Sequence, residues 1–196
     1  MKRTNPTQIY LSSIKKHGYT PKGLCWSSNA HQQIRFEIIL DMLPTDISDC
    51  KIGDAGCGFG DFYIYLLNSN KSIKKYIGID LIEQISKEAQ KRTNCEILHK
   101  NITKEDIPVV DYYICSGALN IMNKFDAILF ISKCYKASKK GFIFNTLHGT
   151  KKSDLFNYFT KNEIKLIAKN LDVKEIIFKD GYIDNDITVG FFRDIS

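Results

Sequence analysis

The sequence predicts an α/β protein: an open, doubly wound, mostly parallel sheet with helices on both faces. Three observations carry that prediction. From residue 50 to about 170, apolar runs of strand length alternate with runs of helical period, and two further strands close the chain. Residues 109–115 (VVDYYIC) are largely apolar, as a strand buried on both faces of a parallel sheet must be. At 50–61 (CKIGDAGCGFGD), a short strand turns into a helix through Gly56, Gly58 and Gly60. Such a turn brings main-chain N–H groups close to a ligand, because no Cβ stands in the way.

Composition bounds the remaining possibilities. The chain has 196 residues, enough for one domain with a substantial core. It is 43% hydrophobic and 26% charged, which excludes a disordered chain. No apolar run approaches the roughly 18 residues needed to cross a bilayer, and MKRTNPTQIYLSS has no apolar signal region. A cytoplasmic protein without a membrane partner is expected. The six cysteines show no C-x-x-C spacing, so reduced, mostly buried thiols are expected, without disulfides or a metal site. The net charge is +6, but only four basic residues are arginine: Arg3, Arg35, Arg92 and Arg193. Lysine pairs scattered along the chain predict a solvated surface rather than a nucleic-acid face.

The elements follow in order. Residues 7–16 read as a short helix ended by Gly18, and 19–26 as an ordered loop with the single tryptophan, Trp26. Ser27, Ser28 and Asn29 are candidate caps for a helix over 30–43, whose Ile34, Ile38 and Met42 keep a four-residue spacing before Pro44. Residues 1–45 thus form an N-terminal helical cap, and 46–196 the core. A strand at 51–52, a helix at 62–68, a strand at 76–80 and a helix at 81–92 come next. Then follow strands at 95–98 and 109–115, a helix at 124–137 and a strand at 141–146. Residues 153–159 read as irregular or helical. A helix at 162–170 and strands at 173–178 and 187–192, a terminal hairpin, end the chain.

The spacing of the glycine turn is informative. A dinucleotide-binding turn reads G-x-G-x-x-G; here it is G-x-G-x-G, which disfavours a nicotinamide-dependent oxidoreductase. D-A-G-C-G-F-G resembles the first motif of class I S-adenosylmethionine-dependent methyltransferases. YIGID, ending in Asp80 twenty residues after Gly60, resembles their second. GLCWSS…IRFEIIL is similar to the start of a small, uncharacterised bacterial group of such enzymes. The resemblance covers roughly residues 25–196 and implies a Rossmann-like, seven-stranded sheet with its last strand antiparallel. It also implies S-adenosylmethionine as cofactor.

On that resemblance, Asp54, Ala55, Gly56, Gly58 and Gly60 form the cofactor turn, with Asp54 accepting from an amino group. Asp80, beside Leu81, holds the ribose hydroxyls, since one carboxylate accepts two hydrogen bonds. Asn101 and Ile102 meet the adenine edge, Asn101 by its amide oxygen. Trp26 and Arg35 belong to a cofactor lid, Arg35 reaching the methionine carboxylate. Ser116 and Gly117, in S-G-A-L-N, lie near the transferred methyl group; this motif departs from the N-P-P-Y type of base-amino methyltransferases. His148 and Asn120 are the candidate catalytic residues, His148 as a general base. The expected acceptor is a small molecule. An RNA-directed enzyme is the alternative, and a catalytically silent cofactor-binding or interaction module is another.

Overall fold

β-Branched, aromatic and glycine-flanked runs set the strands, and amphipathic runs between them become crossover helices. A computed structural model describes residues 6–26 and 28–194. The helices are α1 (Pro6–His17), α2 (Asn29–Asp41), α3 (Asp61–Asn68), α4 (Glu83–Thr93), α5 (Lys124–Lys136) and α6 (Lys161–Asn170). The strands are β1 (Lys51–Ala55), β2 (Lys75–Asp80), β3 (Glu96–His99), β4 (Val110–Cys115) and β5 (Ser138–His148). After them come β6 (Tyr158–Phe159), β7 (Glu175–Asp180) and β8 (Asp186–Phe192). Strand order is β3-β2-β1-β4-β5-β8-β7, with β8 antiparallel to both neighbours and the rest parallel.

Among the described residues the sheet holds eight strands where seven were expected. The addition is β6, which pairs Tyr158 with Leu147 and Phe159 with His148 at the end of β5. The 153–159 stretch is therefore extended at its end, not helical. β5 runs two residues past the expected 146, because β6 and Asp186 of β8 supply partners there.

The period-2 alternation of the strands divides the core between two faces. Tyr113 and Cys115 of β4 join Phe142, Phe144, Val189 and Phe191 against α5 and α6. Tyr112 and Ile114 face the other way, with Ile52 and Tyr76, against Phe36 and Ile39 of α2 and Phe62 and Leu66 of α3. So α2 is a layer of the core, and α1 is the part of the N-terminal segment that lies across the strand ends. Ile14 of α1 packs with Phe59, Ile82 and Ile85 in a separate cluster.

Caps fix where the helices start. The Ser28 hydroxyl accepts from the His31 N–H at the head of α2; the alternative cap Ser27 lies outside the described residues. Thr160 and Glu163 form a reciprocal capping box on α6. All six cysteines are free; Cys25 is exposed and Cys95 half-buried, the other four buried. Among the described residues, no helix is long and apolar enough to cross a membrane.

Candidate cofactor cleft

Parallel strands leave a crevice at their carboxyl ends where the strand order reverses. Here the reversal falls between β1 and β4, and a cleft of about 490 Å³ opens there, a volume usual for a small-ligand site. Its walls come from the ends of β1, β2 and β4, from α2, and from Tyr10 of α1.

Gly56 and Gly58 of the glycine turn line the cleft. Gly56, Gly58 and Gly60 all take left-handed backbone, with φ of 76°, 55° and 78°, which glycine alone adopts without strain. Their amides, however, are satisfied inside the protein. The N–H groups of Gly56 and Cys57 both donate to the Ile79 carbonyl, at 2.8 and 3.1 Å. Gly58 N–H donates to Asp80 Oδ2 at 3.2 Å, and Gly60 N–H to the Cys57 carbonyl at 3.0 Å. The turn ties the end of β1 to the end of β2 and presents carboxylates to the cleft. Gly60 and Ala55 do not reach its wall. A Cβ on Gly60 would lie 2.3 Å from the Thr93 methyl, so that glycine serves helix packing, and Ala55 is fully buried in the core.

Two acids stand at the strand ends. Asp54 is 2% exposed, and its Oδ2 accepts from the Tyr76 hydroxyl at 2.5 Å. Burial pushes its carboxyl up to about 7; Tyr76 pulls it down, while Asp80 and Asp61 push it further up. Asp80 Oδ1 accepts from Ile82 N–H at 2.9 Å and Oδ2 from Gly58 N–H. Burial raises this carboxyl to about 6 against the lowering effect of the Ile82, Gly58 and Leu81 amides and of His99. Leu81 stands beside it, half exposed on the cleft wall.

Asn101 and Ile102 also line the cleft, but Asn101 Oδ1 already accepts from Thr103 N–H and Oγ1 at 3.0 and 2.7 Å. The expected acceptor oxygen is thus occupied by a local turn. Its side-chain Nδ2 makes no hydrogen bond among the described residues, while its main-chain N–H donates to Glu105 Oε1 at 2.6 Å.

On the β4 side, the fully buried Asn145 of β5 fixes the S-G turn. Its Oδ1 accepts from Gly117 N–H at 2.9 Å, and its Nδ2 donates to Ser116 Oγ at 3.3 Å. Gly117 has φ 83°, and a Cβ there would lie 3.3 Å from the Trp26 ring. The indole in turn covers the Arg35 guanidinium, 4.9 Å from its centroid. Arg35 is buried. Its partner is Asp186 of β8: Nε donates to Oδ2 at 2.7 Å, and Nη2 donates to the same oxygen. Asp186 Oδ1 accepts from the Tyr182 hydroxyl at 3.1 Å.

The two candidate catalytic residues fare differently. Asn120 lines the cleft, its Oδ1 holding Leu147 N–H at 3.1 Å. His148 does not reach the cleft wall; its Nδ1 pairs with the Phe159 carbonyl at 2.9 Å. The lengthened β5 carries it past the site. Sequence reading missed Tyr10, Tyr76, Asn145 and Asp186. Each lies in an apolar run or a turn, with no local signal that it meets a residue far along the chain. Among the described residues, no group of three or more His, Cys, Asp or Glu side chains is placed to hold a metal ion.

Comparison with known proteins agrees with this geometry. Residues 52–141 match the family described as a methyltransferase domain. No curated protein matches the sequence. Among solved structures, the fold is similar to magnesium protoporphyrin IX methyltransferase from Synechocystis PCC 6803 with bound S-adenosylmethionine. That match has a TM-score of 0.70 at 15% identity and covers 98% of this chain and 99% of that one. It is also similar to the mitomycin 7-O-methyltransferase MmcR, with TM-score 0.71, 12% identity and coverage of 98% and 61%. A third is the small RNA methyltransferase HEN1, with TM-score 0.64, 18% identity and coverage of 84% and 25%. Residues 52–141 thus match a methyltransferase domain, and the chain has the fold of class I S-adenosylmethionine-dependent methyltransferases.

Proposed function

We propose that this protein methylates a small-molecule acceptor in the cleft. The observation that carries the reading is the charge of the cleft wall. Asp54, Asp61, Asp80 and Asp126 line it against Lys100 and Arg35; with Arg35 paired to Asp186 and Asp61 to Arg92, Asp54, Asp80 and Asp126 remain against Lys100. An acidic, partly enclosed cleft draws in a cationic sulfonium and ammonium and repels phosphates. The internally bonded amides of the glycine turn add to this, because a pyrophosphate would find few donors there. Arginine usage points the same way. Among the described residues, Arg35 pairs with Asp186, Arg92 with Asp61, and Arg193 with the carbonyls of Ser138 and Tyr135.

The roles follow from the donor sets. Each Asp80 oxygen has accepted one N–H and keeps a lone pair for a ribose hydroxyl. Asp54 takes the cationic amine. Ile102 and the Asn101 amide flank the adenine. Trp26 closes the cleft over Gly117, with Arg35 held behind it as a support for the indole. Ser116 and Gly117, fixed by Asn145, stand beside the reacting centre. Bound there, S-adenosylmethionine would supply an electrophilic methyl carbon for the acceptor's lone pair, with its sulfur as the leaving group. The chain's work is alignment and exclusion of water. A neutral amine or a thiolate needs no general base, in keeping with His148 standing outside the wall. Met122, Phe130 and Phe156 on the β4 side favour an acceptor with an apolar body.

The test is turnover with labelled S-adenosylmethionine against small amines, thiols and phenols and against tRNA. Methylation of a small nucleophile and not of tRNA supports the reading. Methylation of tRNA alone moves the RNA-directed enzyme to first place, and no turnover beside firm cofactor binding leaves the silent module.

A further inference from the structure

Asp54 and Tyr76 are diagonal neighbours on the α2/α3 face of the sheet. Ile52 registers with Tyr76 and Asp54 with Gly78, so the Asp54 and Tyr76 side chains stand on the same face of adjacent strands, one step apart along the sheet. Both partners are buried, at 2% and 4% exposure. The phenol donates a hydrogen bond to one carboxylate oxygen. The other oxygen has no hydrogen-bond partner among the described residues. Nor is it among the sealed polar atoms that lack one, and Asp54 lines the cleft, so this oxygen meets the cleft.

We propose that Tyr76 is a positioning residue for the cofactor: its hydroxyl holds Oδ2 of Asp54, turns Oδ1 into the cleft and keeps the carboxylate ionised to receive the cofactor's cationic amine. The inference rests on the cofactor reading above. A buried carboxylate with a single neutral donor is a poor anion. Here it also faces like charges. Asp80 at the end of β2 and Asp61 at the head of α3 both oppose its ionisation. The thiols of Cys57 in the glycine turn and Cys115 in β4, themselves pushed up by burial, stay neutral beside it. From α2, Arg35 reaches the same cleft, with its charge directed to Asp186. Tyr76 is the group in this shell that donates a hydrogen bond to Asp54, and it lowers the carboxyl from where burial would leave it.

The sign follows. The ionised form of Asp54 binds the amine, so affinity rises with pH toward about 7 and levels above it. Replacing Tyr76 with Phe keeps the ring and removes the proton donor. The Asp54 carboxyl then titrates at higher pH. Affinity below pH 7 falls by up to about tenfold for every pH unit by which that titration moves.

The experiment has two parts. In the first, carboxyl carbon resonances of Asp54 are titrated in ligand-free wild type and Tyr76→Phe, with Asp54→Asn to assign the signal and thermal melts to confirm folding. In the second, S-adenosylhomocysteine affinity is measured by calorimetry from pH 5.5 to 7.5 for the same proteins. An upward-shifted Asp54 titration, with the rising limb of affinity moved to higher pH, supports the proposal. Superimposable Asp54 titrations in the two proteins overturn it whatever the ligand does. A shifted titration with no wild-type binding of S-adenosylhomocysteine at any pH overturns the cofactor reading instead, and with it the assignment of the amine to Asp54.

Discussion

Replacing Arg35 with Ala should cost the protein much of its stability. The Arg35 side chain is 10% exposed and that of Asp186 1%. Two guanidinium donors converge on one oxygen of Asp186, and Tyr182 takes the other. Removing the cation strands a buried carboxylate that one neutral hydroxyl cannot support. Breaking such a pair costs about 3–5 kcal/mol, a large share of a total that is usually about 5–15 kcal/mol. At roughly 2–4 °C per kcal/mol for a chain of this size, the melting temperature should fall by on the order of 10 °C. The loss should depend on pH. Burial holds the Asp186 carboxyl above its usual value even beside Arg35, and more so without it. The folded state of the variant therefore binds the extra proton, and its stability falls as pH rises from the unfolded carboxylate range, near 4, through the raised folded value. Urea unfolding of wild type, Arg35→Ala, Asp186→Leu and the double variant at pH 5 and pH 8 measures this. The double variant should recover much of the single loss, because no charge is left stranded. A cost under about 1 kcal/mol, coupled to a large loss of cofactor affinity, would refute the structural role and return Arg35 to the methionine carboxylate.

Three other outcomes are expected. Asp80→Ala should keep its fold and lose cofactor affinity by roughly 100-fold or more, since two hydrogen bonds to a charged group disappear; calorimetry reads this directly, and unchanged affinity would remove the ribose assignment. Gly60→Val should destabilise by several kcal/mol, because a β-branched side chain enters at φ 78° with its Cβ 2.3 Å from Thr93. Left-handed strain and overpacking each contribute about 1–3 kcal/mol, seen as a lower urea midpoint. Retention on tRNA or DNA should be weak and vanish with modest salt; tight binding in filter assays would overturn the small-molecule preference.

How much of this was legible in the sequence differs by level. The fold was, because each strand–helix unit declares itself locally: GDAGCGFG marks a strand turning into a helix, and VVDYYIC a doubly buried strand. β6 was not, since two residues between a loop and a helix become a strand only by pairing with Leu147 and His148. In the site, the acids at strand ends were readable, because Asp54 and Asp80 close apolar runs. Their partners were not. Asp186 lies 151 residues from Arg35, and Tyr76 looks like any core aromatic until the register sets it beside Asp54. His148 stands outside the cleft wall for a related reason: the length of β5 is fixed by its neighbours rather than by its own residues. The glycines were read correctly as a turn, yet the destination of their amides depended on the end of β2.

The measurement that tests the central claim most directly is calorimetric titration of the intact protein with S-adenosylmethionine, S-adenosylhomocysteine and NAD. The acid-lined cleft and the internally bonded amides of the glycine turn predict saturable binding of the first two and none of NAD. Binding of NAD, or silence toward all three, would contradict the account.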